Sequence, residues 1–69
     1  MAIHPVVKSL IEEIDAFRAR AGMSVTAFGT RALNDSGFIP DLVSGKRNPS
    51  LKTMDKVRAF MRERERSAA

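Results

Sequence analysis

A chain of 69 residues has room for one small domain, and a domain this size buries only about 60% of the surface its unfolded chain exposes. It has no cysteine and a single histidine, which excludes disulfide staples and thiolate zinc sites as sources of stability. Hydrophobic residues at 43% and charged residues at 29% suit a folded globule, no apolar run spans a bilayer, and a net charge of +4 admits a polyanionic partner without requiring one.

The opening residues, MAIHPVVKSL, lack a basic lead followed by a long apolar core, so they do not read as a secretory signal. The expected compartment is a reduced cytoplasm. The charge is uneven along the chain. Residues 1–20 are neutral, residues 21–50 carry +1 and residues 51–69 carry +3.

Val7, Leu10, Ile11, Ile14 and Phe17 recur at spacings of three and four, which predicts an amphipathic helix over 5–21. Pro5 suits its first turn and Gly22 its C-terminal stop. Ser24 is a good N-cap for a second helix carrying Val25, Phe28, Ala32 and Leu33, ending near Leu33. Asn34 tolerates the left-handed conformation that such a stop needs.

Pro40 constrains the next segment. Proline is tolerated in a first helical turn and disruptive further in. A cap at Gly37 places Pro40 third, so a short helix is predicted over 38–44, stopped by Gly45 and anchored by Ile39, Leu42 and Val43. KRNPS is a loop. Ser50 caps a last helix with the stripe Leu51, Met54, Val57, Phe60 and Met61. Residues 63–69 have no apolar partner and are expected to fray, leaving 1–62 as the domain. No strand is predicted, and the fold class is all-α.

The central feature is therefore two short helices joined by a tight turn and flanked by longer ones. Such a pair can project its second helix into the DNA major groove, which is about 12 Å wide. The stretch SVTAFGTRALNDSGFIPDLVSGKRNPSL, residues 24–51, resembles the Cro/cI-type (XRE-like) helix-turn-helix domain of phage repressors and bacterial regulators. Ser24 stands at the cap position, Gly29 at the small position of the first helix, and Ile39 and Leu42 at the anchors. Gly45-Lys46-Arg47-Asn48-Pro49-Ser50 matches the closing loop. Helices one and four fit the same four-to-five-helix, lambda-repressor-like layout. The departures are Asn34 in place of the usual turn glycine, Gly29 where alanine is commoner, Pro40 inside the second helix, and Val25 where a phosphate-binding glutamine is frequent.

The resemblance implies sequence-specific double-stranded DNA binding by a bacterial or phage transcriptional regulator, with a homodimer on two half-sites. Expected phosphate contacts are Ser24, Thr26, Arg31, Lys46, Arg47 and Asn48, since basic side chains and helix N-termini set position on the duplex. Ser36, Gly37, Phe38, Asp41 and Ser44 occupy the expected base-facing positions. They are a poor set for reading bases: no Arg, Asn or Gln lies between Asn34 and Arg47 to make the strong bidentate pairs. Phe38 suits a thymine methyl or the core, and Asp41 a cytosine amino group or the helix dipole. Arg58, Arg62 and Arg66 form either a second phosphate ridge or a solvated helix face. Met54 and Met61 read as core, and His4 as a terminal residue without a role.

Nothing in the sequence argues for an enzyme, a metal site or a cofactor. Glu12 and Glu13 are adjacent and diverge on a helix by about 100°. The rival readings are a helical protein-interaction module that keeps this fold without base recognition, and an antitoxin-type or other partner-dependent domain.

Overall fold

The computed structural model describes residues 4–68, so the expectations for residues 1–3 and for Ala69 lie outside the described residues. Four helices follow one another: α1 Pro5–Ala21, α2 Val25–Leu33, α3 Phe38–Ser44 and α4 Leu51–Ala68. No strand occurs among the described residues, and none of their helices is long and apolar enough to cross a membrane. The chain is an all-α domain.

Most of the helix ends fall on residues that satisfy free backbone groups. Gly22 stops α1 with φ 63° and donates its amide to the Arg18 carbonyl, while the Arg18 side chain donates to the Met23 carbonyl at 3.1 Å. Ser24 Oγ accepts the Ala27 amide at 3.0 Å. Asn34 adopts φ 55° at the end of α2, the sole left-handed non-glycine among the described residues. Its carboxamide side chain belongs to the small set that tolerates this conformation. Gly45 ends α3 at φ 80°, and Ser50 Oγ accepts the Thr53 amide at 3.1 Å to start α4. His4, expected to be idle, is the N-cap of α1: its Nδ1 accepts the Val6 amide at 3.1 Å.

One core joins all four helices. Val7, Leu10, Ile14 and Phe17 come from α1, Phe28 from α2, Phe38, Ile39 and Leu42 from α3, and Met54, Val57 and Met61 from α4. At its centre Phe17, Phe28 and Phe60 meet edge to face, with centroids 5.4–6.0 Å apart, the geometry the ring quadrupole favours. No polar or charged residue is buried among the described residues.

Three expectations differ from this arrangement. Val43 is 53% exposed and Phe38 fully buried, so α3 is rotated relative to the predicted stripe. Leu51, the first residue of α4, is 77% exposed because the stripe begins one turn later at Met54. Residues 63–68 continue α4 where fraying was expected. In that segment Glu65 pairs with Arg20 at 3.0 Å.

That pair has a counterpart. Arg58 donates to Glu13 through Nη2 at 2.9 Å and Nε at 3.4 Å. The two pairs lie seven residues apart on each helix, at one constant offset, so α1 and α4 run parallel. The acid is on α1 in one pair and on α4 in the other. An opposite direction would set Glu13 against Glu65 and Arg20 against Arg58. Exposed pairs contribute at most about 1 kcal/mol each, so they specify direction and register more than they stabilise. Glu13 also holds the Arg58 guanidinium above its ordinary pKa.

Pro40 is third in α3 and exposed. A third-position amide has no intrahelical acceptor, so the missing N–H costs no helical bond. Pro40→Ala is expected to keep the fold, with helix content unchanged or slightly raised and stability within about 1 kcal/mol of the parent. Far-UV circular dichroism and a thermal melt check it, and a large loss of helicity would contradict a start at Gly37.

Candidate nucleic-acid interface

The segment that positions this site is the turn between α2 and α3. The Asn34 amide donates to the Thr30 carbonyl at 2.9 Å and the Asp35 amide to the Gly29 carbonyl at 3.0 Å. Asp35 then closes the turn: its Oδ1 accepts the Gly37 amide at 3.1 Å and its carbonyl accepts the Phe38 amide at 3.2 Å. Gly29 makes the close approach possible. A Cβ there would overlap the Asp35 carbonyl oxygen.

The turn leaves one edge of α3 facing solvent. Phe38, Ile39 and Leu42 point inward, while Ser36, Pro40, Val43 and Ser44 are exposed and Asp41 is half-buried. Two of the base-facing expectations are corrected by this. Phe38 is fully enclosed in the core and cannot touch a base. Gly37 has no side chain, and its amide and carbonyl are already bonded to Asp35 Oδ1 and the Asp41 amide. Ser44 is exposed, with its hydroxyl donated back to the Asp41 carbonyl at 3.1 Å. Ser36 is exposed in the turn itself.

The expected phosphate contacts separate into two groups. Ser24, Thr26, Arg31, Lys46 and Asn48 are all exposed. The start of α2 has no acidic residue in its first turn, and its first amides have no intrahelical acceptor, so this end carries the partial positive charge of a helix N-terminus. Arg47 is different. Its Nη1 lies 2.6 Å from Asp35 Oδ2 and its Nη2 lies 3.5 Å from Asp41 Oδ2. Its guanidinium carbon sits 5.4 Å from the Phe38 ring centroid. The Arg47 guanidinium holds the Asp35 carboxyl below its ordinary pKa, with partial burial opposing and the Gly37 amide adding to the lowering.

Sequence reasoning missed Pro40 and Val43 as outward residues and the Asp35–Arg47–Asp41 cluster. Seven residues make under two turns. Phe38/Ile39/Leu42 and Ile39/Leu42/Val43 both satisfy helical spacing, so periodicity could not choose between them. The spacing of Asp41 and Arg47 across a helix stop carries no pattern, because Gly45 ends the helical repeat between them. Of the arginine ridge, Arg58 is used against Glu13 and Arg66 lies 3.5 Å from Glu63. Among the described residues no group of three or more His, Cys, Asp and Glu side chains is placed to hold a metal ion.

Compared with known proteins, the chain matches no family model, no curated protein and no solved structure.

Proposed function

We propose that this domain binds double-stranded DNA through the α2–turn–α3 pair, as a transcriptional regulator of the helix-turn-helix type. The observation that carries the reading is the tight turn itself: it packs α3 by Phe38, Ile39 and Leu42 and leaves its other edge in solvent, with exposed Lys46 and Asn48 directly after it. The Lys46 side chain, the Asn48 amide and the N-terminus of α2 with Ser24 and Thr26 serve as phosphate contacts, and Arg31 extends them. Ser36, Ser44 and the rim of Asp41 face the bases, with Pro40 and Val43 beside them as apolar surface for thymine methyls.

This edge offers few base-reading donors. Specificity then rests on duplex shape and on a second copy of the chain bound about one helical turn, roughly 34 Å, away. Such a regulator works in the cytoplasm, at the nucleoid.

A salt titration tests the reading. Affinity for duplex DNA is expected to fall steeply with salt, and Lys46→Ala to lower the slope of log K against log salt by about 0.9. Stability in that variant should stay within about 0.5 kcal/mol. Absence of saturable duplex binding at low salt would sink the proposal. The reading that then gains is a protein-interaction module, which the exposed Val43 on α3 favours.

A further inference from the structure

We propose that Asp35 and Asp41 withhold the Arg47 guanidinium from the duplex, and so set how many phosphates the domain neutralises. The proposal rests on the DNA-binding reading and adds to it a role for two carboxylates.

Arg47 stands in the loop where the sequence places a phosphate contact, next to exposed Lys46 and Asn48. Both of its terminal nitrogens already face carboxylates. One terminal nitrogen is 2.6 Å from Asp35 and the other 3.5 Å from Asp41, and the guanidinium carbon lies 5.4 Å from the Phe38 ring centroid. The side chain is only 34% exposed. A guanidinium set between two carboxylates has its charge compensated there, and its NH2 groups must turn from these partners before they can fork onto phosphate.

The carboxylates are themselves fixed. Asp35 Oδ1 holds the Gly37 amide, which aims Oδ2 at Arg47. Asp41 lies in the first turn of α3, where the helix dipole favours its charge. Releasing Arg47 to a phosphate would leave two acids beside the DNA backbone with nothing to neutralise them. The three charges together amount to −1, so this corner of the domain repels phosphate while Lys46 beside it attracts. The consequence is weaker general affinity and a shallower salt dependence than the basic count of the loop suggests.

The experiment compares salt slopes of duplex binding for the parent, Arg47→Ala, Asp35→Asn/Asp41→Asn, and the latter combined with Arg47→Gln. Asparagine at 35 retains an oxygen for the Gly37 amide, so the turn is preserved, and a thermal melt verifies folding. Arg47→Ala is expected to leave the slope unchanged. The Asp35→Asn/Asp41→Asn variant is expected to bind tighter with a slope steeper by about 0.9, one more phosphate, and the added Arg47→Gln to abolish that gain. A cluster that served only to hold the loop would shift the melting temperature without moving the slope, and would overturn the proposal. So would an Arg47→Ala variant that loses as much slope as Lys46→Ala. If neither the parent nor the Asp35→Asn/Asp41→Asn variant binds duplex, the DNA reading falls and takes this inference with it. If both bind with equal slopes, only the inference falls.

Discussion

Phe28→Ala is expected to leave most of the domain unfolded or close to it at room temperature. Phe28 is fully buried, and its ring lies 5.7 Å from Phe17 and 5.4 Å from Phe60, centroid to centroid. It therefore touches α1 and α4 from α2, and its loss opens a cavity where three helices meet. Truncating a buried phenylalanine to alanine costs about 3–5 kcal/mol. A domain of this length has a total stability of roughly 3–10 kcal/mol. The core has no disulfide in reserve, since the chain has no cysteine. Chemical denaturation followed by circular dichroism measures the effect. Phe28→Leu keeps much of the volume and is expected to cost far less. A melting temperature for Phe28→Ala within a few degrees of the parent would mean that the aromatic cluster does not hold the helices together.

The second large effect is expected at Gly29, and its sign is opposite to the usual one. Glycine inside a helix ordinarily gives way to alanine with a gain of about 1 kcal/mol. Here the added methyl would overlap the Asp35 carbonyl oxygen and lie 3.2 Å from its carbon and 3.5 Å from Phe38 Cβ. The obstacle is backbone, which cannot rotate aside. It is also pinned, because the Asp35 amide donates to the Gly29 carbonyl at 3.0 Å. Overpacking of this kind costs about 1–3 kcal/mol or more. Gly29→Ala is expected to be less stable by roughly 1–2 kcal/mol net, a fall of about 4–16 °C in melting temperature. The displaced turn carries α3 with it, so duplex affinity should fall further than stability alone explains. An increase in melting temperature would show that the turn relaxes without cost.

The helix boundaries were legible in the sequence because the signals are local. A cap, a stop and a proline act within one turn of the backbone they serve, so Ser24, Asn34, Gly37 and Gly45 announce α2 and α3 from their own chemistry. The long apolar stripe of α1 was legible for the same reason: about three turns of repeat, from Val7 to Phe17, leave little choice of face. The stripe of α4 was less so. Leu51 continues its spacing and is nonetheless exposed, because nothing packs on the first turn.

The candidate site was legible only in part. The exposed positions Ser24, Thr26, Arg31, Lys46 and Asn48 follow from their polarity and their place at helix ends. The phase of α3 does not follow from its residues: Val43, expected as an anchor, is exposed, and Phe38, left open between a base contact and the core, is buried. Charge counting along the chain also misleads at Arg47. It adds one positive charge to the loop, whereas in space two carboxylates cancel it.

The sequence by itself determined an all-α chain, the order and ends of its helices, and the tight turn in its middle. Those are properties of short segments, in which each backbone group finds its partner nearby. The tertiary structure alone decided which side of α3 faces solvent, that α1 and α4 run parallel under two reversed ion pairs, and that Arg47 answers to Asp35 and Asp41. These depend on which residues distant in sequence meet, and that is settled by packing all four helices around one aromatic core.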